Sequence, residues 1–457
     1  GVEQADPRRL ELLIGRGEAQ RRMGDTGYRQ TLLDAAHLAE QLGDAGALAR
    51  AALANTLGHV WTAPMVVDAD RIEVLEAAIA AVGEGDLPMR ARLLATLGLE
   101  LGWEPDHRRR LALSDEALRI AGSFGDPQVL AHVLLARDYT ISAPENATER
   151  FVATTELLAT ADRLGDPVLA SRALNLRFKA AMERADLAEA EQCLTKNRAL
   201  VVELGQRPLQ WAAMHHQATL RVLHGDAEAE EAVTVARELA PVGLQDFFAF
   251  AHRLPLHLEQ GVGSEFGEFF CQLADRSRSP FFKAVYAHIL VETGQVEAAT
   301  SIFDEFAATD FAHPTNNVAW LGFGIECSWL CARLGRRECV FLLRSRLEPY
   351  ADQLVVGGFA GWVAGSVALY LGLLCTTVGD WPAAEAYFAA AAATHERIAA
   401  PFWLARTRIE WARMLLARAN SADTERAHDL LRQALATARE LGLTTIERGA
   451  VELLSPQ

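Results

Sequence analysis

The chain has 457 residues, half of them hydrophobic, with 60 acidic against 44 basic side chains and a formal net charge of -16. That balance excludes sequence-independent binding to DNA or RNA, which needs clustered cations against phosphates, and it suits a protein or small-molecule partner. No apolar run reaches the roughly 18 to 20 residues that span a bilayer, and six scattered cysteines make no disulfide framework, so a reducing cytoplasm is the default setting.

Only Lys179, Lys196 and Lys283 are lysine; every other basic residue is arginine. Richness in Arg, Ala and Gly with so little Lys suggests a GC-rich bacterial genome. No signal peptide is read. The chain opens on Gly1 and is helical in pattern from about Pro7, so Gly1 is taken as a cloning scar and the chain as a fragment of a longer polypeptide.

Gly-Asp pairs then punctuate the sequence at Gly24, Gly43, Gly85, Gly125, Gly165, Gly225 and Gly379. In such a pair Gly tolerates the positive φ that ends a helix, and Asp caps the next one. The glycines at 85, 125, 165 and 205 are 40 residues apart, and RIAGSFGDPQVLAHVLLA and ATADRLGDPVLASRALNLR are close copies in pattern. A second series of turns runs through Ala185-Asp186, Gly225-Asp226, Gly294-Gln295, Gly335 and Gly379. Two interleaved series at one period predict stacked helix-turn-helix units: about eleven pairs, roughly 20 to 22 helices, and essentially no strand. The pattern blurs at 138–151, 253–270, 309–323 and 348–362, where extra Pro, Gly, Asn or aromatic residues predict longer connections or irregular units on one face. None reads as an interdomain linker, so residues 1–457 are expected to form one continuous solenoid.

The stretch GDWPAAEAYFAAAAATHERIAAPFWLARTRIEWARMLLA, from Gly379 to Ala417, shows the unit best. Ala384, Phe388, Ala391 and Ile398 share one helical face, Pro401 marks a break, and Ala405, Ile409, Ala412 and Leu416 stripe the next helix. With Gly379 at the turn, Gly372 falls on the small residue of a first helix, and Ala384, Phe388 and Ala391 on the Ala, aromatic and Ala of a second. This unit resembles a tetratricopeptide repeat lengthened from the usual period of about 34 residues. The resemblance implies an all-α, right-handed superhelical solenoid. Longer helices of this kind, with ends such as LARTRIEWARMLLARA and RAHDLLRQALATARELGL, resemble the repeat region of large bacterial signal-transduction ATPase regulators. These include maltose-activator-like transcription factors, actinobacterial antibiotic regulatory proteins and cyclase-linked ATPases.

Chemical motifs are few. No lysine follows a Gly-rich loop, so no nucleotide-binding P-loop is read, and no cofactor is expected. GVGSEFG (261–267) is one residue too long for a dinucleotide fingerprint and reads as a loop between helices. Cys327 and Cys331 stand four apart on a helix, with Cys339 nearby. They would serve as metal or redox ligands or, at core positions of the repeat, as ordinary buried thiols, and the core reading is preferred. His395-Glu396 lacks the second His of a zinc-protease helix and is read as surface. His215-His216 with His224 is read as polar helix face, so no metal site is expected.

The function implied is a non-catalytic regulatory scaffold. It would bind a protein partner or small effector and control an upstream ATPase, cyclase, kinase or transcription-factor module of the same polypeptide. The rivals are a stand-alone peptide-binding adaptor and a helical-repeat enzyme whose site is built from distant helices. In the family the second, fifth and ninth positions of the first helix face the concave groove. That register selects Arg172, Asn175, Lys179, His215, Thr219, His288 and Trp329, although it puts Arg177 where an apolar residue belongs. A groove of Arg, Lys and His suits an acidic peptide or anionic effector, and Trp329 would anchor it. On this reading, replacing Arg172 and Lys179 by Ala leaves folding nearly unchanged and weakens partner binding at least tenfold.

Overall fold

A computed structural model describes residues 6–56, 67–102, 104, 107–260, 264–276, 279–312 and 318–455. Among them the chain forms 23 α-helices and one short hairpin. In order the helices are α1 (Pro7–Met23), α2 (Tyr28–Leu42), α3 (Ala45–Ala54), α4 (Ala69–Val82), α5 (Leu87–Glu100), α6 (His107–Phe124), α7 (Pro127–Thr140) and α8 (Ala147–Leu164). Next come α9 (Pro167–Glu183), α10 (Leu187–Leu204), α11 (Arg207–His224), α12 (Ala229–Leu239), α13 (Gln245–Glu259), α14 (Ser264–Arg276), α15 (Pro280–Glu292) and α16 (Val296–Ala307). After α17 (Trp320–Arg333) and α18 (Val340–Leu347) the strands β1 (Leu354–Gly357) and β2 (Trp362–Ser366) intervene. The chain continues with α19 (Val367–Val378), α20 (Trp381–Arg397), α21 (Pro401–Arg418), α22 (Ser421–Leu441) and α23 (Thr444–Leu454).

The turn chemistry explains the punctuation. Gly24, Gly43, Gly165, Gly205, Gly225 and Gly379 close helices in the left-handed region. Asp44, Asp86, Asp126, Asp166, Asp186 and Asp380 accept N–H groups at the start of the following helix. One expected position moves: the left-handed residue between α4 and α5 is Gly83, not Gly85. Within the last clear unit a Cβ on Gly372 would come within 2.7 Å of the Phe388 ring, so only Gly lets α19 and α20 close on it. Ala384, Phe388 and Ala391 are fully buried there, as the repeat pattern requires.

Consecutive helices pack antiparallel in pairs, and each odd-numbered helix from α1 to α13 and from α15 to α23 also touches the next odd one. The odd helices therefore form an inner layer and the even ones an outer layer. The inner layer coils back on itself, since α1 meets α11, α11 meets α21 and α13 meets α23. One winding of this tetratricopeptide-like α-solenoid thus takes about ten helices, and successive windings touch.

Two of the irregular stretches take a definite form. First, the described residues hold almost no strand, as expected, and the exception is local: 348–362 leads into an antiparallel hairpin, with Val356 opposite Val363 and Gly357 opposite Trp362. Val355 and Val356 favour extended backbone, and Gly358 and Ala360 take positive φ in the turn. A Cβ on Gly357 would overlap the Trp362 ring, so Gly is required for the pairing. Secondly, most of 253–270 is regular helix, with Pro255 inside α13. Residues 261–263 of GVGSEFG and 313–317 of the third irregular stretch lie outside the described residues; Ser264 to Gly267 open α14.

Candidate functional site

The hairpin lies on the inner layer, where a free groove was expected. β1 packs on α9 and α17, β2 on α11, α13 and α19 and also on α20 of the outer layer. Its turn is fastened to α11: His216 Nε2 donates to the Phe359 carbonyl at 2.8 Å and Thr219 Oγ1 to the Ala360 carbonyl at 2.6 Å. His216 stacks on Phe178 with ring centroids 4.0 Å apart, which fixes its ring. Gly361 packs so tightly on His215 that a Cβ would lie 2.5 Å from Nε2. At the far end the Ser366 N–H donates to His395 Nε2 at 2.9 Å, while His395 Nδ1 lies 3.0 Å from Thr407 Oγ1. His395 is fully buried, not on the surface as its sequence neighbours suggested; burial lowers its pKa to about 3.

The base of the hairpin sits over buried charge. Gln353 Nε2 donates to the Pro144 carbonyl at 3.1 Å. Beside it Lys179 Nζ donates to Ser142 Oγ and Glu183 Oε1, each at 2.9 Å, and Arg150 Nη2 donates to Glu183 Oε2 at 2.6 Å. Burial opposes the charge on Glu183, but Arg150 and Lys179 outweigh it and hold the carboxyl below its ordinary range. Burial pushes Asp138 the other way, up to about 6.

Two chambers flank the hairpin turn. The smaller, of ≈60 Å³, is lined by Tyr139, Arg172, Asn175, Lys179, Trp211 and His215 among others, with Phe359 from the turn. The larger, of ≈130 Å³, lies between α13, α14, α15, α17, α19, α21 and the hairpin. Its wall is mostly apolar and rich in aromatic rings, including Phe248, Phe270, Phe281, Trp362 and Trp403. Among the described residues its charged or titratable groups are Glu326, His288, Arg406 and Tyr370.

The seven groove residues are therefore divided. Arg172, Asn175, Lys179 and His215 come together on the smaller chamber. Thr219 is under the hairpin turn. His288 borders the larger chamber, donating through Nδ1 to Glu326 Oε2 at 2.7 Å, and stacks 3.5 Å from Trp329, which is itself buried behind it. Lys179 is only 4% exposed, so it is no free groove cation. Arg177 resolves the register problem: its guanidinium lies 3.9 Å over the Phe151 ring and bonds Glu189, so the stem takes the apolar position and the head escapes. Sequence reasoning missed Trp211, Arg150, Asp138 and the turn residue Phe359. The signal for the last was VVGGFAGW, β-branched residues running into a Gly-rich turn.

The smaller chamber carries unmet polar atoms. The donors Arg172 Nε and Trp211 Nε1 are buried without a hydrogen-bond partner among the described residues, and so are both ring nitrogens of His215, one a donor and one an acceptor in the neutral ring. Burial lowers the pKa of Arg172 to about 10, and nearby Arg21 of α1 adds to that effect. The guanidinium remains charged at neutral pH. Cys327 and Cys331 are buried in the core, where burial raises both thiols. Among the described residues no group of three His, Cys, Asp or Glu could hold a metal ion, and no described helix is long and apolar enough to cross a membrane.

No family model matches the chain, and no curated protein matches it. Among solved structures it is similar to the APC/C hetero-tetramer Cut9–Hcn1, at 14% identity and a TM-score of 0.42, over 99% of this chain and 97% of that one. It is also similar to a circular tandem repeat protein with novel repeat topology, at 15% identity and a TM-score of 0.17, over 97% of this chain and 87% of that one. At these values neither structure bears on what the chain does.

Proposed function

We propose that the chain is a non-catalytic regulatory repeat module that binds a small anionic effector in its interior. Occupancy would pass to other modules of its polypeptide, such as a signal-transduction ATPase, a cyclase, a kinase or a DNA-binding unit. The observation that carries this reading is the hairpin seated on the inner layer. An extended peptide needs an open groove with free backbone and side-chain contacts, and here the chain itself occupies that place. What is left are two partly open chambers, one of which offers Arg172 and the unpartnered N–H of Trp211. A half-buried guanidinium with a spare Nε–H favours a carboxylate, because charge-assisted bonds gain strength away from water.

Size narrows the choice. The smaller chamber, of ≈60 Å³, has room for a head group of a few heavy atoms. Propionate is a fitting probe. Saturable binding of propionate, followed by ligand-detected NMR, should be at least tenfold weaker in Arg172→Gln than in the parent chain. No saturable binding, or equal binding by the variant, overturns the reading.

A further inference from the structure

The two chambers share one wall. Phe359 lines both, and its ring is held between left-handed Gly358 and Ala360 at the turn. Trp211 of the smaller chamber meets Phe248 of the larger with ring centroids 4.9 Å apart, and meets Phe359 edge-on at 5.9 Å. Beyond this partition the chemistry changes. The smaller side offers cationic and N–H groups, whereas the larger is walled by Phe247, Phe248, Phe270, Phe281, Phe282 and Trp362.

We propose that the chambers are two halves of one site for an amphiphilic monoanion: a carboxylate head on Arg172 and an apolar chain of about six to eight carbons behind Phe359. This rests on the reading of Arg172 as the anion anchor. The charge pattern sets the direction. In the larger chamber Glu326 is bonded to His288, and a carboxylate there would repel an acid head. Arg406 in the same wall faces Glu410, a carboxyl that Arg333, Arg413 and Arg406 hold at about 2 against its burial. Among the described residues no carboxylate lines the smaller chamber, and Arg21 adds positive potential to it. The aromatic wall supplies the apolar half. A volume of ≈130 Å³ is of the order of an apolar cavity that binds a benzene-sized ligand, about six carbons. For the head to reach Arg172 with the tail behind it, the Phe359 ring must turn aside.

The test is a series of propionate, hexanoate, octanoate and 1-octanol, titrated calorimetrically into the full chain. Affinity should rise about threefold to fourfold per methylene as the tail enters the aromatic chamber, and octanoate should bind at least tenfold tighter than octanol. Arg172→Gln should bring octanoate down to the level of octanol. Ala251→Phe, which fills the larger chamber, should bring octanoate down to propionate and leave propionate unchanged; Ala251→Leu should do the same in part, and circular dichroism checks that both fold. If propionate binds but octanoate binds no tighter, the two-chamber site is wrong and the Arg172 anchor stands. If propionate does not bind, the anchor itself is wrong. Octanoate binding that Ala251→Phe leaves intact overturns the site. So does an acid preference that is lost in Arg406→Gln instead of Arg172→Gln.

Discussion

At the residue scale, the interior groups act mainly through what they keep in place. Gly361→Ala puts a methyl against His215, which cannot withdraw because it is walled by Trp211, Phe248 and His252. Overpacking of this kind costs about 1–3 kcal/mol, and the urea midpoint should fall accordingly. Lys179 is the sharper case. Read from sequence it was a groove residue whose loss leaves folding nearly intact. Its place against Glu183 makes the opposite expected, because removing one partner of a buried pair costs about 3–5 kcal/mol. Lys179→Ala should therefore unfold at markedly lower urea than Arg172→Gln. Equal midpoints for the two variants would show that the Arg150–Glu183 pair suffices alone.

The pair of adjacent helices was the most legible level. Gly-Asp punctuation follows from elementary turn chemistry, and the stripe from Ala384 to Ala391 needs only helical periodicity. The hairpin was not legible, because its four-residue and five-residue strands are too short to show alternation, and its partners lie more than 140 positions away at His216 and Thr219. The four residues that gather on the smaller chamber were found because the repeat register points them inward. What the register cannot tell is whether something already sits there. The helix-pair logic predicts opposite signs for two glycines. Gly372→Ala gains about 1 kcal/mol of helix propensity but drives a methyl into the buried Phe388 ring, at about 1–3 kcal/mol, so stability should drop. At Gly122, on the outer face of α6, nothing lies within 4 Å. Gly122→Ala should stabilise by up to about 1 kcal/mol. Thermal denaturation of the two variants side by side measures both.

Across the whole molecule, four buried imidazoles ring the hairpin: His215, His216 and His252 by its turn, His395 at its end. Burial is the main cause that holds all four below the ordinary value of 6.5, with His216 and His395 near 3 and His252 near 4. The unfolded chain binds these protons first, so the stabilisation is whole above about pH 6.5 and is lost as pH falls towards the folded values. His132, lowered by burial to about 3, acts with the same sign, whereas Asp138, raised to about 6, and Glu100 and Glu145, also raised by burial, contribute with the contrary sign. The urea midpoint should be flat from pH 8 to 7 and fall between 6.5 and 5, with a slope approaching about 1.4 kcal/mol per pH unit for each imidazole. A midpoint that holds steady down to pH 5 contradicts the burial of these rings.

The touching windings have a mechanical consequence. An open coil of helix pairs behaves as a soft spring, in which each unit interacts only with its neighbours and yields to a small load. Here α1, α11 and α21 abut, and Arg397 grips the Ala185 carbonyl across 212 positions at 2.6 Å. Tension applied to the two ends must part these seams before the coil can lengthen. Such a body resists stretching up to a threshold and then gives way at once, which is the behaviour of a latch.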